Sequence, residues 1–191
     1  ELVPGRDKTV MVCPNASGGK NWIPSSYNPE SKTLYVPLME ICMDMIPVPA
    51  DEVGFLSTGI RTTVRPRPDH DGNYGRLQAI NLETLEVEWT HRQRSPRTSG
   101  LLATAGGLVF GGDLNRNFTA YDEVNGEELW RIRLNDVSNA APITYMVDGK
   151  QYLAVTVGHG ILSIDRRSVV PEIRLPTNPA PTLWIFELPD G

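Results

Sequence analysis

The sequence predicts an all-β chain assembled from four-stranded antiparallel units. Three observations predict it. The first is internal similarity: Ala79–Trp89 reads AINLETLEVEW and Ala120–Trp130 reads AYDEVNGEELW, two copies 41 residues apart. A period near 40 residues belongs to repeated supersecondary units such as propeller blades. The second is a run of short β-rich segments separated by Gly, Asn, Asp and Pro. The third is composition: 17 glycines and 16 prolines without a long amphipathic helical pattern.

Each strand follows from its own residues. Thr9–Cys13 (TVMVC) and Thr33–Pro37 (TLYVP) flank a loop rich in Gly, Asn, Pro and Ser. Arg76–Leu82 and Glu86–His91 form a pair with Glu83–Leu85 as the turn. Leu101–Gly112 is read as two strands interrupted at Ala105–Gly107. Asn117–Asp122 and Glu127–Leu134 form a hairpin, with Asn125-Gly126 supplying the positive φ of a tight turn. Ala141–Val147 and Gln151–Gly158 form another around Asp148-Gly149, and Thr182–Leu188 is a last apolar strand. The stretches from Arg65 to Gly75 and from Arg166 to Pro181 read as a polar loop and a proline-dotted connector.

The repeated skeleton has a physical logic. The small Ala allows a neighbouring sheet to approach. Asp122 accepts from backbone amides of the turn it opens. Trp89 and Trp130 offer flat apolar faces for docking one sheet on the next. In the first copy Asn81 stands for the acid and Leu85 for the glycine.

Composition sets outer limits. The chain has 191 residues, 40% of them hydrophobic, and a net charge of −5, which argues against a nucleic-acid partner. The nearest basic cluster, Arg61, Arg65 and Arg67, is broken by prolines and followed by aspartates, and reads as a solvated loop. No apolar run reaches membrane-helix length. His70, His91 and His159 are isolated and read as surface or packing residues. Asp113, Asn115 and Asn117 alternate, but no late Glu follows as a calcium loop would require, so they read as a polar turn. On the residues alone, Asn21 and Trp22 read first as a turn amide and a packing indole, with a ligand pair as the alternative.

The skeleton Ala-x-Asp-x-x-x-Gly-x-x-x-Trp resembles the tryptophan-docking motif of quinoprotein β-propellers. Val12–Met45, with its Gly-Gly-x-Asn-Trp core, Tyr-Asn-Pro and Cys-Met-Asp, resembles a segment of the pyrroloquinoline quinone (PQQ)-dependent alcohol dehydrogenases. Thr98–Trp130 and Ala141–Gly158 resemble that family's later blades in order and Leu183–Gly191 resembles the end of its catalytic domain, leaving gaps at Pro47–Asn73 and Gly158–Pro181. The resemblance implies that residues 1–191 are the C-terminal part of an eight-bladed propeller domain, about four blades of it. The remaining blades would come from the rest of the propeller, or the fragment would associate with itself.

It further implies a periplasmic dehydrogenase that oxidises alcohols or sugars and passes electrons to a cytochrome or quinone acceptor. Asn21 and Trp22 match positions beside the quinone. Lys20 places a positive charge next to a cofactor bearing several carboxylates, and Gly18-Gly19 allow close backbone approach. Cys13 and Cys42 match positions that the family often bridges. The family's catalytic Asp, its calcium or lanthanide ligands and its adjacent-cysteine disulfide have no match here, so the chain alone is expected to be inactive. Thr98 stands where many alcohol-oxidising members carry Trp, which puts the substrate in question. The alternative is a non-enzymatic propeller scaffold or binding module, against which the intact Gly18–Trp22 element argues.

Overall fold

The computed structural model describes residues 8–53, 59–160 and 166–187. In chain order its strands are β1 (Val10–Val12), β2 (Ser26–Asn28), β3 (Thr33–Met39), β4 (Ile41–Pro47), β5 (Ile60–Pro66), β6 (Gly75–Asn81), β7 (Val87–Gln93), β8 (Leu102–Ala103), β9 (Leu108–Gly112), β10 (Asn117–Asp122), β11 (Glu128–Arg133), β12 (Ile143–Val147), β13 (Lys150–Val157) and β14 (Thr182–Glu187). They form four antiparallel sheets. Two have four strands, ordered β2-β3-β6-β7 and β8-β9-β10-β11; two have three, ordered β1-β4-β5 and β12-β13-β14. The last residues of the resemblance, 188–191, lie outside the described residues.

The repeat repeats in three dimensions. Ala79 faces Trp89 across the β6–β7 ladder and Ala120 faces Trp130 across β10–β11, and in both copies the register shifts directly after the alanine. Asp122 Oδ1 accepts the amides of Val124 (2.7 Å) and Asn125 (3.2 Å). Asn81 Oδ1 does the same for Glu83 (2.9 Å) and Thr84 (3.2 Å), since only an acceptor is needed. Gly126 takes φ 74° and its counterpart Leu85 takes φ 61°. A left-handed leucine costs about 1–2 kcal/mol, and Leu85 finds no compensating burial, at 75% exposed.

Trp89 joins the two four-stranded sheets. Its Nε1–H donates to the Glu123 carbonyl at 2.9 Å. A Cβ on Gly126 would come within 2.5 Å of the ring, so the turn of one sheet closes directly over the indole of the other. Tyr35, Leu77, Val109 and Tyr121 complete that seam. Trp130 is differently placed: 39% exposed, it meets Phe186 and Phe118 edge-on with centroids 5.4 and 6.4 Å away. Phe110, Phe118, Leu153 and Val155 fill the seam towards the third sheet. The outer face of that sheet is open, with Ile143, Leu183 and Ile185 all exposed.

Two segments differ from the sequence reading. Ile60–Pro66 is not a solvated loop but strand β5, paired with β4 along its whole length. Its arginines and prolines hid it because it is an edge strand with few buried side chains. Arg65 pairs with Asp44, and Arg67 reaches Glu40 and Asp69. The Arg166–Pro181 connector is not featureless: it buries Val169, Val170 and Ile173 against Met39, Ile41 and Tyr74. Arg94 pins it, bonding Glu172 (2.7 Å) and the carbonyls of Gly72 (2.8 Å) and Val169 (3.2 Å), with its guanidinium 5.0 Å over Tyr74. Strands β2 and β4 were also not separately anticipated.

Cys13 and Cys42 form a disulfide with Cα atoms 4.4 Å apart, tying the end of β1 to β4. Their separation of 29 residues corresponds to about 3–4 kcal/mol of restricted unfolded-chain entropy. Urea unfolding of a Cys13→Ser, Cys42→Ser double variant is expected to show a loss of that order; an unchanged midpoint contradicts it. Gly126→Ala adds a clash with Trp89 to the backbone penalty and is expected to destabilise by more than about 2 kcal/mol. Gly149→Ala, at φ 79° with nothing within 4 Å, should lose only the backbone share, about 1 kcal/mol. Equal losses in the two variants contradict the docking role of Gly126.

Candidate functional site

In the β2-β3-β6-β7, β8–β11 and β12–β14 sheets, antiparallel order sends one set of connections to one end: described residues 13–25, 40–53, 59–74, 94–101, 113–116, 134–142, 158–160 and 166–181. They bind one another there. The Leu101 amide donates to the Pro24 carbonyl (3.1 Å), and Leu114 to that of Pro96 (3.0 Å). Thr98 Oγ1 donates to the Ser138 carbonyl (2.7 Å), and Asn135 Nδ2 to that of Ala180 (3.1 Å). Loop ends presented by a rigid sheet scaffold are where binding residues collect.

Lys20, Asn21 and Trp22 sit together on the first of these loops. The segment before them is fixed at several points. The disulfide holds Cys13, the Asn15 amide donates to the Ile41 carbonyl, and Met39 donates to that of Gly19, both at 2.8 Å. Gly18 adopts φ 73°. Lys20 Nζ donates back to the carbonyls of Asn21 (2.8 Å) and Ile23 (2.5 Å), and Ile23 is buried as the anchor. Against that anchored backbone, Asn21 is exposed and Trp22 is 56% exposed. The Asn21 amide makes no hydrogen bond among the described residues.

This donor set suits a planar polyacid. A free amide can bond the polar edge of such a ring system, an uncovered indole offers apolar surface, and the ammonium retains a third N–H for a carboxylate. PQQ has these features, and the residues present fit it. A metal is another matter: among the described residues no group of three His, Cys, Asp or Glu side chains could hold one.

The sequence reading missed a layer of buried polar groups behind the same loops. Arg97 is 1% exposed and lies 4.9 Å over the Tyr121 ring. Asp113 is buried, and burial pushes its carboxyl above the ordinary range while Asn117 and Arg97 pull it back. Asp113 accepts from the Asn117 amide (3.1 Å) and from Gln93 Nε2 (3.2 Å), so the 113–117 stretch is a self-satisfied polar turn. His70 is exposed and stacks on Tyr74, with centroids 5.5 Å apart. His91 packs 4.9 Å from Tyr121, and burial with nearby Arg97 lowers its pKa. His159 faces wholly buried Asp136, Nδ1 to Oδ1 2.8 Å. The 41-residue offset could have flagged the loops, since Gly100 and Ala141 are in contact and stand one period apart. Nothing local announces Asp136 with His159.

Comparison with known proteins places this geometry. The sequence model of the family described as PQQ glucose/ethanol/alcohol dehydrogenase, β-propeller domain, matches residues 2–153. The quinoprotein ethanol dehydrogenase of Pseudomonas aeruginosa is 34% identical over 184 residues, covering 95% of this chain and 29% of that protein. Lupanine 17-hydroxylase [cytochrome c] of a Pseudomonas species is 36% identical over 151 residues, covering 79% of this chain and 21% of that protein. Among solved structures, a europium-containing methanol dehydrogenase superposes with TM-score 0.81 at 27% identity, over 95% of this chain and 35% of that one. The quinohemoprotein alcohol dehydrogenase of Comamonas testosteroni gives TM-score 0.68 at 29% identity, over 80% and 24%. The chain thus spans about a third or less of each of these relatives. The sheets are part of a β-propeller, and the chain belongs to the family of PQQ-dependent glucose, ethanol and alcohol dehydrogenase propeller domains.

Proposed function

We propose that residues 1–191 are the C-terminal part of a quinoprotein propeller domain in a periplasmic dehydrogenase that oxidises alcohols or sugars. The observation that carries this reading is the Lys20–Trp22 strip, where among the described residues the amide is unbonded and the indole exposed, on a backbone fixed by a disulfide. In the proposal Asn21 bonds a polar edge of the quinone, Trp22 covers part of its ring and Lys20 draws a carboxylate. When bound, PQQ accepts the two electrons leaving the substrate carbon. A scaffold that had lost its cofactor would have no use for such a strip.

The rest of the activity needs groups outside these residues. A calcium or lanthanide ion, its ligands and the catalytic Asp would come from the rest of the propeller. The electron acceptor would be a cytochrome or a quinone; the name of the related lupanine hydroxylase specifies cytochrome c. The disulfide suits an oxidising compartment. Among the described residues no helix is long and apolar enough to cross a membrane.

Asn21→Ala in the complete protein is expected to reduce PQQ occupancy, read from cofactor absorbance after gel filtration, by about tenfold, the worth of one good polar contact. Unchanged occupancy removes Asn21 from the site. Residues 1–191 alone, mixed with PQQ, calcium and ethanol, are expected to give no dye reduction; turnover by that mixture contradicts the assignment of acid and metal ligands elsewhere.

A further inference from the structure

Gly100 stands where three of the loops meet. It is buried between β7 and β8, and it is not among the glycines with a left-handed backbone, so its conformation is open to any residue. Space is what restricts it. A Cβ there would lie 2.8 Å from Ala141 Cβ, 3.0 Å from Pro24 Cδ and 3.1 Å from Ala141 Cα. Contacts that short force a neighbour to move, so the bare Cα is what lets the loops close on one another.

Gly100 itself is held in place. Thr98 Oγ1 donates to the Ser138 carbonyl (2.7 Å). Ser99 Oγ accepts the Gly112 amide (2.6 Å) and donates to the Gly100 carbonyl (2.8 Å). Leu101 is packed into the Trp89 seam. The Ala141 side is held as well: Ser138 bridges Val157, Asn139 Nδ2 donates to the Gly158 carbonyl, and Pro142 is buried.

Pro24 is therefore the neighbour with room to move. It is exposed, and it is seated by its carbonyl, which accepts the Leu101 amide at 3.1 Å. Beyond it Ser26 Oγ accepts the Ala103 amide at 2.8 Å, which pins the chain on that side. On the other side only Ile23 separates Pro24 from Trp22. Any displacement of Pro24 passes back through Ile23 into the Lys20–Trp22 strip.

We propose that Gly100 is a positioning residue for that strip: its bare Cα seats Pro24 against the 98–101 loop, and the seat sets where Asn21 and Trp22 stand for the quinone. This rests on the quinone reading of Lys20–Trp22. Gly100 touches no ligand and acts through Pro24 and Ile23. Residues 100 and 141 stand one period apart, so equivalent positions of successive units touch here and the strip leans on the first of them.

Two measurements test it. In residues 1–191 the NMR signal of the Trp22 indole N–H, identified by its loss in Trp22→Phe, should shift in Gly100→Ala while that of Trp130 stays. A Trp22 signal that does not move overturns the positioning role. In the complete protein, Gly100→Ala should raise the dissociation constant for PQQ about tenfold, short of the roughly 100-fold cost of a full misplacement of about 1 Å. Gly126→Ala is the comparison, because its clash with Trp89 lies at the opposite end of the sheets. It should lower the urea midpoint at least as far and leave PQQ affinity unchanged. Equal losses of affinity in the two variants make Gly100 merely structural and overturn its assigned role. Pro24→Ala removes the Cδ that Gly100 meets without adding a side-chain atom, and should weaken PQQ in the same direction; unchanged affinity there also overturns the role. A wild-type protein that binds no PQQ, with the Trp22 shift present, overturns the quinone reading alone.

Discussion

Contact between the Trp89 indole and the backbone of Gly126 is the constraint around which this chain is organised. One flat ring fills the seam between two four-stranded sheets, and its N–H meets the Glu123 carbonyl of the opposing turn. The turn can lie that close only because Gly126 has no side chain. Ala79, opposite Trp89, and the shared register shift set the depth at which the ring sits. The spacing of these two sheets follows from this docking.

Given fixed sheets, the loop-bearing end becomes a surface where polar groups can be held at defined depths. Lys20–Trp22 stay outside on a backbone anchored by Ile23 and the disulfide. Arg97, Asp113 and Asp136 lie buried behind them. Thr98 belongs to the buried layer, its hydroxyl spent on the Ser138 carbonyl. That bond joins two neighbouring loops, those carrying Thr98 and Ser138.

Much of this was legible from residues whose job is local. Asp122, Asn125 and Gly126 announce their hairpin because turn chemistry is written in adjacent positions, and Asn81 could be recognised as a substitute acceptor. The Lys20–Trp22 element stood out only through its resemblance to a family motif, not through its own residues. What escaped was non-local. Strand β5 is specified by its ladder with β4, not by its own exposed arginines. Val169, Val170 and Ile173 sit among prolines, and only their packing against Met39, Ile41 and Tyr74 shows that the connector is core. Asp136 and His159 are 23 residues apart, and no periodicity links them.

The excursion 40–74 between two strands that lie side by side, β3 and β6, has a kinetic side. Its counterpart in the next sheet is the short turn 113–116. Bringing the ends of the longer loop together costs about 2 kcal/mol more in chain entropy. The β8–β11 sheet, with its contiguous connections, therefore closes at the lower entropic cost of the two.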